Sequence, residues 1–373
     1  MSLPIARTTN ISHVLANGED VKVTSVLEPP TGRQPAIFPS FGEYPVYDES
    51  IYQVLSGDAV RNGAFNEALR RVASGSRVLD IGTGSHLKWA REAIELGAKS
   101  AVGIESIKES FAAAQRTRHA SGMTERLDLI HGLSTDISLT ERAGICVAEI
   151  IGSLAGAEGA AVVIRDARQR LLSARSLVVP HRATTQVAAA CLRDLLGEHP
   201  IAFSTSALPY LGKIFSWNGG PFDVRLRVSR PHSGTLLSDS AEAEVLDFNG
   251  DICPEQMREI RLNISRRGNV DGLLAWMRLW CDRNGNPIDA LRDQTSWASV
   301  YFPLFDESVH CQPGDCLRIA FRVRLAADRL HPIYQIDGSL VRGGRSMASG
   351  QHVSNFGGNL FRQHAVYQRL FPV

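Results

Sequence analysis

Two glutamates stand nine residues apart, on either side of a short glycine-rich stretch. Glu149 follows an apolar run, and Ile-Ile-Gly-Ser-Leu-Ala-Gly-Ala then leads to Glu158. The glycines of this stretch suit a hairpin loop that brings the two carboxylates face to face. Two carboxylates held together repel each other, and one takes up a proton unless a cation lies between them. A guanidinium is the best such cation, because its planar fork of donors matches carboxylates bidentately.

The same pair of glutamates has other interpretations. A Glu158 that caps the next helix and an unrelated Glu149 at a strand end fit the spacing equally well. Paired acids also bind metal ions or perform general acid–base catalysis. The six cysteines are scattered without a C-x-x-C pair, and no nearby His/Cys pair completes a zinc set with Cys311 and Cys316. We therefore expect no metal.

A second set of residues predicts a nucleotide site. In Val-Leu-Asp-Ile-Gly-Thr-Gly-Ser, Asp80, Gly82 and Gly84 stand where a short apolar strand meets a helix, and Glu105 closes the next strand 25 residues after Asp80. An acid there is placed to accept hydrogen bonds from both ribose hydroxyls. The dinucleotide fingerprint requires a third glycine, and Leu87 occupies that position. Glu105 fits NAD and S-adenosylmethionine about equally well, and it also suits a helix cap.

Alternating strands and helices are predicted around these residues and would position them. We predict strands at 77–81, 100–105, 127–131 and 145–149 and helices at 48–72 (broken near 61–63), 87–96 and 106–120. Such alternation indicates a doubly wound α/β layer with a parallel sheet. After Pro180 the segments 183–190, 224–228, 243–248, 299–302 and 317–325 are short and β-rich, which predicts an antiparallel, barrel-like domain. In Leu-Leu-Ala-Trp-Met-Arg-Leu-Trp, the spacing of Trp276 and Trp280 predicts a buried helix face.

Length and charge limit the class of protein. The chain has 373 residues, a formal net charge of +1 and 44% hydrophobic residues, so we expect two domains and no nucleic-acid partner. No apolar run is long enough for a membrane span, and the N-terminus has no signal-peptide core, so we expect a cytoplasmic protein without membrane contact. We predict an N-terminal extension at 1–42, a Rossmann-like domain that binds an adenosyl ligand at 43–179 and a β-barrel domain at 180–373.

Taken in order, these motifs resemble those of the protein arginine methyltransferases. Glu149-Ile-Ile-Gly followed by Glu158 has the form of that family's double-glutamate loop. Val-Leu-Asp-Ile-Gly-Thr-Gly and Gly-Ala-Lys-Ser-Ala-Val-Gly-Ile-Glu-Ser resemble its first two cofactor motifs, and residues 52–62 resemble its N-terminal helix. Val-Pro-His-Arg-Ala-Thr at 179–184 resembles the crossing into the barrel, most of all in the monomethylating branch. Thr295-Ser296-Trp297 stands where the family has Thr-His-Trp.

The resemblance implies a class I methyltransferase domain, an antiparallel β-barrel with a dimerisation arm, and a homodimer. It implies that S-adenosylmethionine is the cofactor, that S-adenosylhomocysteine is the product, and that Glu149 and Glu158 hold a guanidinium. The implied cofactor contacts are Tyr52, Arg61, Asp80, Gly82, Gly84, Glu105, Ser134 and Thr135, and the implied pocket walls are Ser296 and Trp297. Ser296 departs from the family's His, and His86 stands where the family has its third glycine.

The resemblance to the monomethylating branch predicts a product with one methyl group on a terminal guanidino nitrogen. A chain without acidic excess is poorly suited to steer polybasic protein tails, so we favour free L-arginine, as in bacterial members of the wider family that methylate the free amino acid. Arg/Gly-rich proteins are the alternative substrate. A catalytically silent adenosyl-binding scaffold and an NAD-dependent oxidoreductase are the alternatives from other functional classes.

Overall fold

The computed structural model of the protein describes residues 7–26 and 34–373. The helices are α1 (Glu49–Gly57), α2 (Ala59–Val72), α3 (Lys88–Glu95), α4 (Lys108–Ala120), α5 (Ala160–Arg170), α6 (Leu192–Leu196), α7 (Leu208–Asn218) and α8 (Ala365–Leu370). The strands are β1 (Thr8–Val14), β2 (Asp20–Val26), β3 (Ala36–Pro39), β4 (Arg77–Ile81), β5 (Ser100–Glu105), β6 (Leu127–His131), β7 (Ala143–Ala148), β8 (Leu172–Val179), β9 (Arg182–Ala190), β10 (Phe203–Ser204), β11 (Leu226–Ser229), β12 (Ala241–Asp247), β13 (Gln256–Asn263), β14 (Gly268–Val270), β15 (Gly272–Trp280), β16 (Ile288–Asp289), β17 (Ser299–Pro303), β18 (Val309–Cys311), β19 (Cys316–Leu325), β20 (Pro332–Arg342) and β21 (Arg345–Ser354).

The first half of the chain forms a parallel sheet in the order β6-β5-β4-β7-β8. Residues from both faces of this sheet lie in one apolar core with α2, α3 and α5, which explains the continuous apolar runs of its strands. The predicted doubly wound α/β layer is confirmed. The order in which successive strands are added to the sheet reverses between β4 and β7. The carboxyl ends of these two strands therefore border the crevice in which such folds bind ligands.

The second half forms the antiparallel β-barrel that the sequence predicts. A 10-stranded sheet runs β1-β2-β10-β3-β11-β17-β15-β9-β12 with β16 beside β15, and a four-stranded sheet runs β13-β19-β20-β21. Apolar side chains from both sheets share one core, including Leu273 and Phe302 from the larger sheet and Phe321 and Ile336 from the smaller. Strands β14 and β18 form a separate antiparallel pair.

The prediction of a helix around Trp276 and Trp280 is wrong, because this segment is strand β15. It pairs along its whole length with β9, from Gly272 opposite Ala190 to Trp280 opposite Arg182. Both faces of the strand are buried, so its apolar residues do not alternate with polar ones. A continuous apolar run of this length has no periodicity that separates a helix from a strand.

The N-terminal strands pair with the barrel. Strand β3 is antiparallel to β11, and the short strand β10 runs parallel to both β2 and β3. The described part of residues 1–42 therefore contributes strands to the larger sheet; residues 1–6 and 27–33 of this predicted extension lie outside the described residues. Between β9 and β11, helices α6 and α7 pack with β1, β2 and α8 in a second apolar core.

The long helical segment after residue 48 is broken at Asp58 and not near residues 61–63 as predicted. Asp58 has an extended backbone, ends α1 and begins α2, and its Oδ1 accepts a hydrogen bond from the backbone N–H of Arg61 at 2.9 Å. An N-capping aspartate fixes the start of a helix in this way. No helix in the described part of the chain is long and apolar enough to cross a membrane.

Candidate active site

A cavity of about 550 Å³ lies between the carboxyl ends of the parallel strands and the barrel. Its volume lies within the range of pockets that enclose small-molecule ligands. The predicted site residues that line it are Tyr52, Arg61, Gly82, Gly84, Glu105, Ser134, Glu149, Glu158, Ser296 and Trp297. Two others, Asp80 and Thr135, do not line it. The fold therefore brings residues from both domains to one cavity.

Two glycines form the wall of the cavity after β4. Gly82 and Gly84 have φ values of 74° and 66°, in the region that disfavours side chains. A Cβ at Gly82 would lie 2.8 Å from Ile150, and one at Gly84 would lie 3.1 Å from the ring of Tyr52. Asp80 holds this turn from below, because its buried carboxylate accepts hydrogen bonds from Thr83 Oγ1 and from the backbone N–H of Ala90 at 2.7 and 2.9 Å. Burial raises the pKa of Asp80 to about 7.

Glu105 lies at the end of β5, on the cavity wall. Its Oε2 accepts a hydrogen bond from Gly84 N–H at 2.9 Å, and its Oε1 accepts one from Ile107 N–H at 2.8 Å. These bonds hold the carboxylate in place and leave lone pairs on each oxygen for further donors. Burial raises the pKa of Glu105, and hydrogen bonds from the backbone oppose that change. Glu105 therefore both supports the turn before α4 and faces the cavity.

The remaining predicted cofactor contacts surround this end of the cavity. Tyr52 lies over the glycine turn, and its hydroxyl is 2.8 Å from Ser110 Oγ. Ser134 is buried and lines the cavity. Thr135 points its hydroxyl towards Asp136 and gives its carbonyl to Arg170, outside the cavity.

Glu149 follows β7 directly and is ion-paired with Arg61, whose Nη1 lies 3.0 Å from Glu149 Oε2. Arg61 is held by α2 and also donates from Nη2 to the carbonyl of Leu55 at 2.8 Å. Burial raises the pKa of Glu149 to about 7, and the Arg61 charge acts against that rise. The arginine that the resemblance assigns to the cofactor thus contacts the first glutamate of the pair.

Glu158 faces the same cavity from the far side of the loop. Its Oε2 accepts a hydrogen bond from the hydroxyl of Tyr47 at 3.4 Å, and no Lys or Arg side chain of the described chain comes within ion-pair distance. Burial, together with the nearby charges of Glu149 and Glu43, raises the pKa of Glu158 to about 8. A cation between the two glutamates would reverse this effect, since an opposite charge favours the ionised form.

A buried network behind the loop fixes its conformation. Glu244 Oε2 accepts hydrogen bonds from Thr185 Oγ1 at 2.7 Å and from Gly156 N–H at 3.3 Å. Thr185 in turn accepts the N–H of Ala155 at 3.0 Å. A side chain at Gly156 would collide with the Glu244 carboxylate. The barrel strands β9 and β12 therefore hold the loop that carries Glu149 and Glu158.

The loop before β17 closes the cavity on the barrel side. Asp58 Oδ2 accepts hydrogen bonds from Ser296 N–H and Ser296 Oγ at 2.6 and 2.8 Å. Trp297 Nε1 donates to the carbonyl of Ile151 at 2.8 Å. Hydrogen bonds of Ser296 thus connect this loop to Asp58 between α1 and α2, and the hydrogen bond of Trp297 connects it to the loop that carries Glu149 and Glu158.

Sequence reasoning missed several residues of the site. These are Glu43, Tyr47, Asp58, Arg225 and Arg227. Arg225 is fully buried and ion-paired with Glu43 at 2.8 Å; it lies directly before strand β11 and two residues before Arg227. Arginines at alternate positions of the apolar segment 222–228 were the available signal, because charged residues are seldom buried without a partner or a role.

The geometry fits an adenosyl ligand better than a metal ion. A glycine turn without side chains, an acid at the next strand end and the N-terminal helix form one half of the cavity, and the two glutamates form the other. Within residues 7–26 and 34–373, no three His, Cys, Asp or Glu side chains cluster in a way that could hold a metal. The arrangement can hold a nucleoside next to a cation.

No protein-family model matches the sequence. The sequence is 28% identical over 273 residues to protein arginine N-methyltransferase 7 of Drosophila grimshawi, covering 65% of this chain and 38% of that protein. It is 28% identical over 300 residues to the zebrafish (Danio rerio) protein of the same name, covering 73% and 44%. The chain thus spans about two fifths of the length of these curated relatives.

Solved structures share the fold. Arabidopsis thaliana protein arginine methyltransferase 10 superposes with a TM-score of 0.66 and 16% identity, covering 82% of this chain and 97% of that chain. A Trypanosoma brucei PRMT1 enzyme–prozyme heterotetrameric complex with S-adenosylhomocysteine superposes with a TM-score of 0.66 and 16% identity, covering 83% and 99%. In sequence the chain is similar to protein arginine N-methyltransferases, and in fold it matches solved structures of protein arginine methyltransferases.

Proposed function

We propose that the protein transfers a methyl group from S-adenosylmethionine to a terminal guanidino nitrogen of arginine. The observation that carries this proposal is the pair Glu149 and Glu158 on one cavity wall, next to the glycine turn and Glu105. The two glutamates and the adenosyl-type half line the same cavity, so a cation held by the glutamates would lie beside the bound cofactor. The names of the sequence relatives support the same reaction.

In this reaction, different residues of the cavity bind the cofactor and the substrate. Glu105, Gly82, Gly84, Ser134 and Tyr52 hold the adenosyl group. When bound, S-adenosylmethionine supplies an electrophilic methyl group on its sulfonium. Contacts of both domains with cofactor and substrate align one guanidino nitrogen with that methyl group. Holding two reactants in this geometry lowers the barrier substantially.

Glu149 and Glu158 act on the guanidinium. A free guanidinium is a weak nucleophile because its charge is delocalised and its pKa exceeds about 12. Carboxylates on two of its nitrogens draw positive charge towards themselves and away from the attacking nitrogen, and they stabilise the charge as transfer proceeds. Glu158 lies beside the guanidinium in this arrangement and is a candidate acceptor for the proton that the methylated nitrogen releases.

The favoured substrate is free L-arginine and the favoured product is monomethylarginine. The near-zero net charge supports the first, and the likeness of residues 179–184 to the monomethylating branch supports the second. Arginine in Arg/Gly-rich proteins is the alternative substrate. An NAD-dependent oxidoreductase has no support from this cavity, because two glutamates occupy the region opposite the nucleotide half.

We also propose a homodimer. Helices α6 and α7 form a helical insertion between the barrel strands β9 and β11, and α7 exposes 44% of Trp217. An exposed tryptophan on such an insertion is typical of a protein contact surface. Light scattering on the purified protein should give twice the chain mass of 40.7 kDa. A mass of one chain at micromolar concentration would exclude the dimer.

The reaction is tested by incubating the purified protein with S-adenosylmethionine and either L-arginine or an Arg/Gly-rich peptide, followed by mass spectrometry. We expect one methyl group on L-arginine, none in Glu158→Gln and full transfer in the exposed control Glu95→Gln on α3. Transfer to the peptide alone would reassign the substrate. A dimethylated product after long incubation would exclude monomethylation, and no transfer to either substrate would exclude the reaction.

A further inference from the structure

The charged side chains on the cavity wall are mostly paired within the protein. Arg61 is paired with Glu149, and Glu43 with the buried Arg225. Glu105 is held by two backbone N–H groups. Lys88 lies at the glycine-turn end, with its ammonium 5.1 Å from the centre of the Trp89 ring. These contacts account for all but two of the Asp, Glu, Lys and Arg side chains that line the cavity.

The two exceptions are Glu158 and Arg227. Both line the cavity, and neither has an oppositely charged side chain within 4.0 Å in the described residues. Glu158 accepts a hydrogen bond from the hydroxyl of Tyr47, and Arg227 donates one from Nη2 to the carbonyl of Ser296 at 3.1 Å. The substrate half of the cavity therefore contains one unmatched carboxylate and one unmatched guanidinium.

Arg227 is placed by the fold to face a ligand. Arg227 lies on strand β11, two residues after Arg225, and the protein supplies a carboxylate only to Arg225. The Arg227 guanidinium lies 4.5 Å from the centre of the Phe41 ring, which holds it flat. Its Nε is buried and has no hydrogen-bond partner in the described chain. Burial lowers the pKa of Arg227 because it removes water from the charged guanidinium. A carboxylate beside this guanidinium would stabilise its charged form.

A ligand that satisfies both groups has a cation at one end and an anion at the other. The proposed function places the guanidinium of the substrate at Glu158. Arg227 contacts Phe41 and Ser296, and no hydrogen bond in the described chain joins it to the glycine turn or to Glu105, so we assign the anion to the substrate and not to the carboxylate of the cofactor. Arginine with a free α-carboxylate has this charge pattern, and an arginine inside a peptide chain does not.

We propose that Arg227 binds the α-carboxylate of the arginine substrate and so determines specificity for the free amino acid over internal arginine residues. This inference rests on the proposed function, since it takes Glu158 as the guanidinium site. A guanidinium and a carboxylate form a bidentate pair when both are desolvated. Removal of one partner from such a pair leaves the other charge buried and unmatched, which weakens binding by about 100-fold.

Substrate analogues test this inference without changing the protein. Agmatine has the amine and the guanidinium of arginine but no carboxylate, and 5-guanidinopentanoic acid has the carboxylate but no amine. We expect kcat/KM for agmatine to be about 100-fold below that for L-arginine, and 5-guanidinopentanoic acid to retain much more activity. Equal values for agmatine and L-arginine would overturn the inference.

Variants then assign the effect to Arg227. We expect Arg227→Gln to lower kcat/KM for L-arginine about 100-fold more than for agmatine, and Arg227→Lys to lower it less. The exposed Arg345 on β21 gives a matched control, and Arg345→Gln should leave the ratio unchanged. Equal losses on both substrates in Arg227→Gln would overturn the inference.

Two further measurements separate this inference from the proposed function. With the protein saturated in S-adenosylhomocysteine, calorimetry should show L-arginine binding about 100-fold more weakly to Arg227→Gln than to the wild type. Transfer to agmatine and peptides with no preference for L-arginine would refute the role of Arg227 while leaving the methyltransferase activity intact. A peptide with a C-terminal arginine carries the same carboxylate, so we expect it to be methylated better than a peptide of the same composition with its arginine inside the chain, and equal transfer to both would overturn the inference.

Discussion

Glu158→Gln should inactivate the protein and at the same time make it more stable. The pKa of Glu158 is raised to about 8 from an ordinary value of 4.5. A carboxyl whose pKa rises on folding destabilises the folded state at every pH where the unfolded chain would ionise it. The cost is absent below about pH 4.5, grows with pH and becomes constant above about pH 8. At 1.36 kcal/mol per pKa unit it is about 1 kcal/mol at pH 5.5, about 3 at pH 7 and about 4 at pH 8.

Glutamine has the same shape, carries no charge and can still accept the hydrogen bond from Tyr47. The variant should therefore gain about 3 kcal/mol in the free energy of unfolding at pH 7, which for a chain of this size raises Tm by roughly 3–6 °C. Methyl transfer should fall at least about 100-fold, because one of the two carboxylates that bind the guanidinium is lost.

The assay is thermal unfolding of wild type, Glu158→Gln and the exposed control Glu95→Gln at pH 5.5, 7 and 8, with methyl transfer measured in parallel. The gain of Glu158→Gln over wild type should grow with pH, and the control should follow wild type throughout. A variant that is no more stable than wild type at pH 8, or a gain that does not increase from pH 5.5, would refute the reasoning.

Three other predictions concern the same site. Because burial raises the pKa values of Glu149 and Glu158 to about 7 and 8, kcat/KM should rise between pH 6 and 9 as the pair ionises, and a flat or falling profile over this range would contradict this. Asp58→Ala removes a helix cap and the acceptor for Ser296, so it should lower the free energy of unfolding by about 2 kcal/mol in urea melts, whereas an unchanged midpoint would show that these bonds contribute little. Trp297→Phe loses one hydrogen bond to the glutamate loop and should lower kcat/KM about 5-fold without unfolding the protein, and unchanged kinetics would exclude a positioning role.

Much of the parallel sheet could be predicted from local sequence. Strands β4, β5 and β6 have the predicted bounds because each is a short apolar run closed by a charged residue or a glycine turn. Strand β15 was misassigned because both of its faces are buried and no alternation remains. The pairing of β10 with β2 joins Phe203 to Ser25, and no local pattern specifies a contact over that separation in the chain.

Part of the candidate site could also be predicted from local sequence patterns. The positions of Glu149, Glu158 and Glu105 follow from strand ends and glycine spacing, and the structure brings all three to one cavity. Arg227 and Asp58 reach the cavity through strand pairing and helix placement, which are tertiary contacts. Their identity as site residues therefore required the fold.

We propose that a guanidino nitrogen bound by Glu149 and Glu158 receives the methyl group. Incubation with S-adenosylmethionine labelled at its methyl carbon and with L-arginine as acceptor, followed by tandem mass spectrometry of the product, locates the transferred group. We expect a single labelled methyl group on a terminal guanidino nitrogen. Absence of label from every guanidine offered, whether free or within an Arg/Gly-rich peptide, would contradict it.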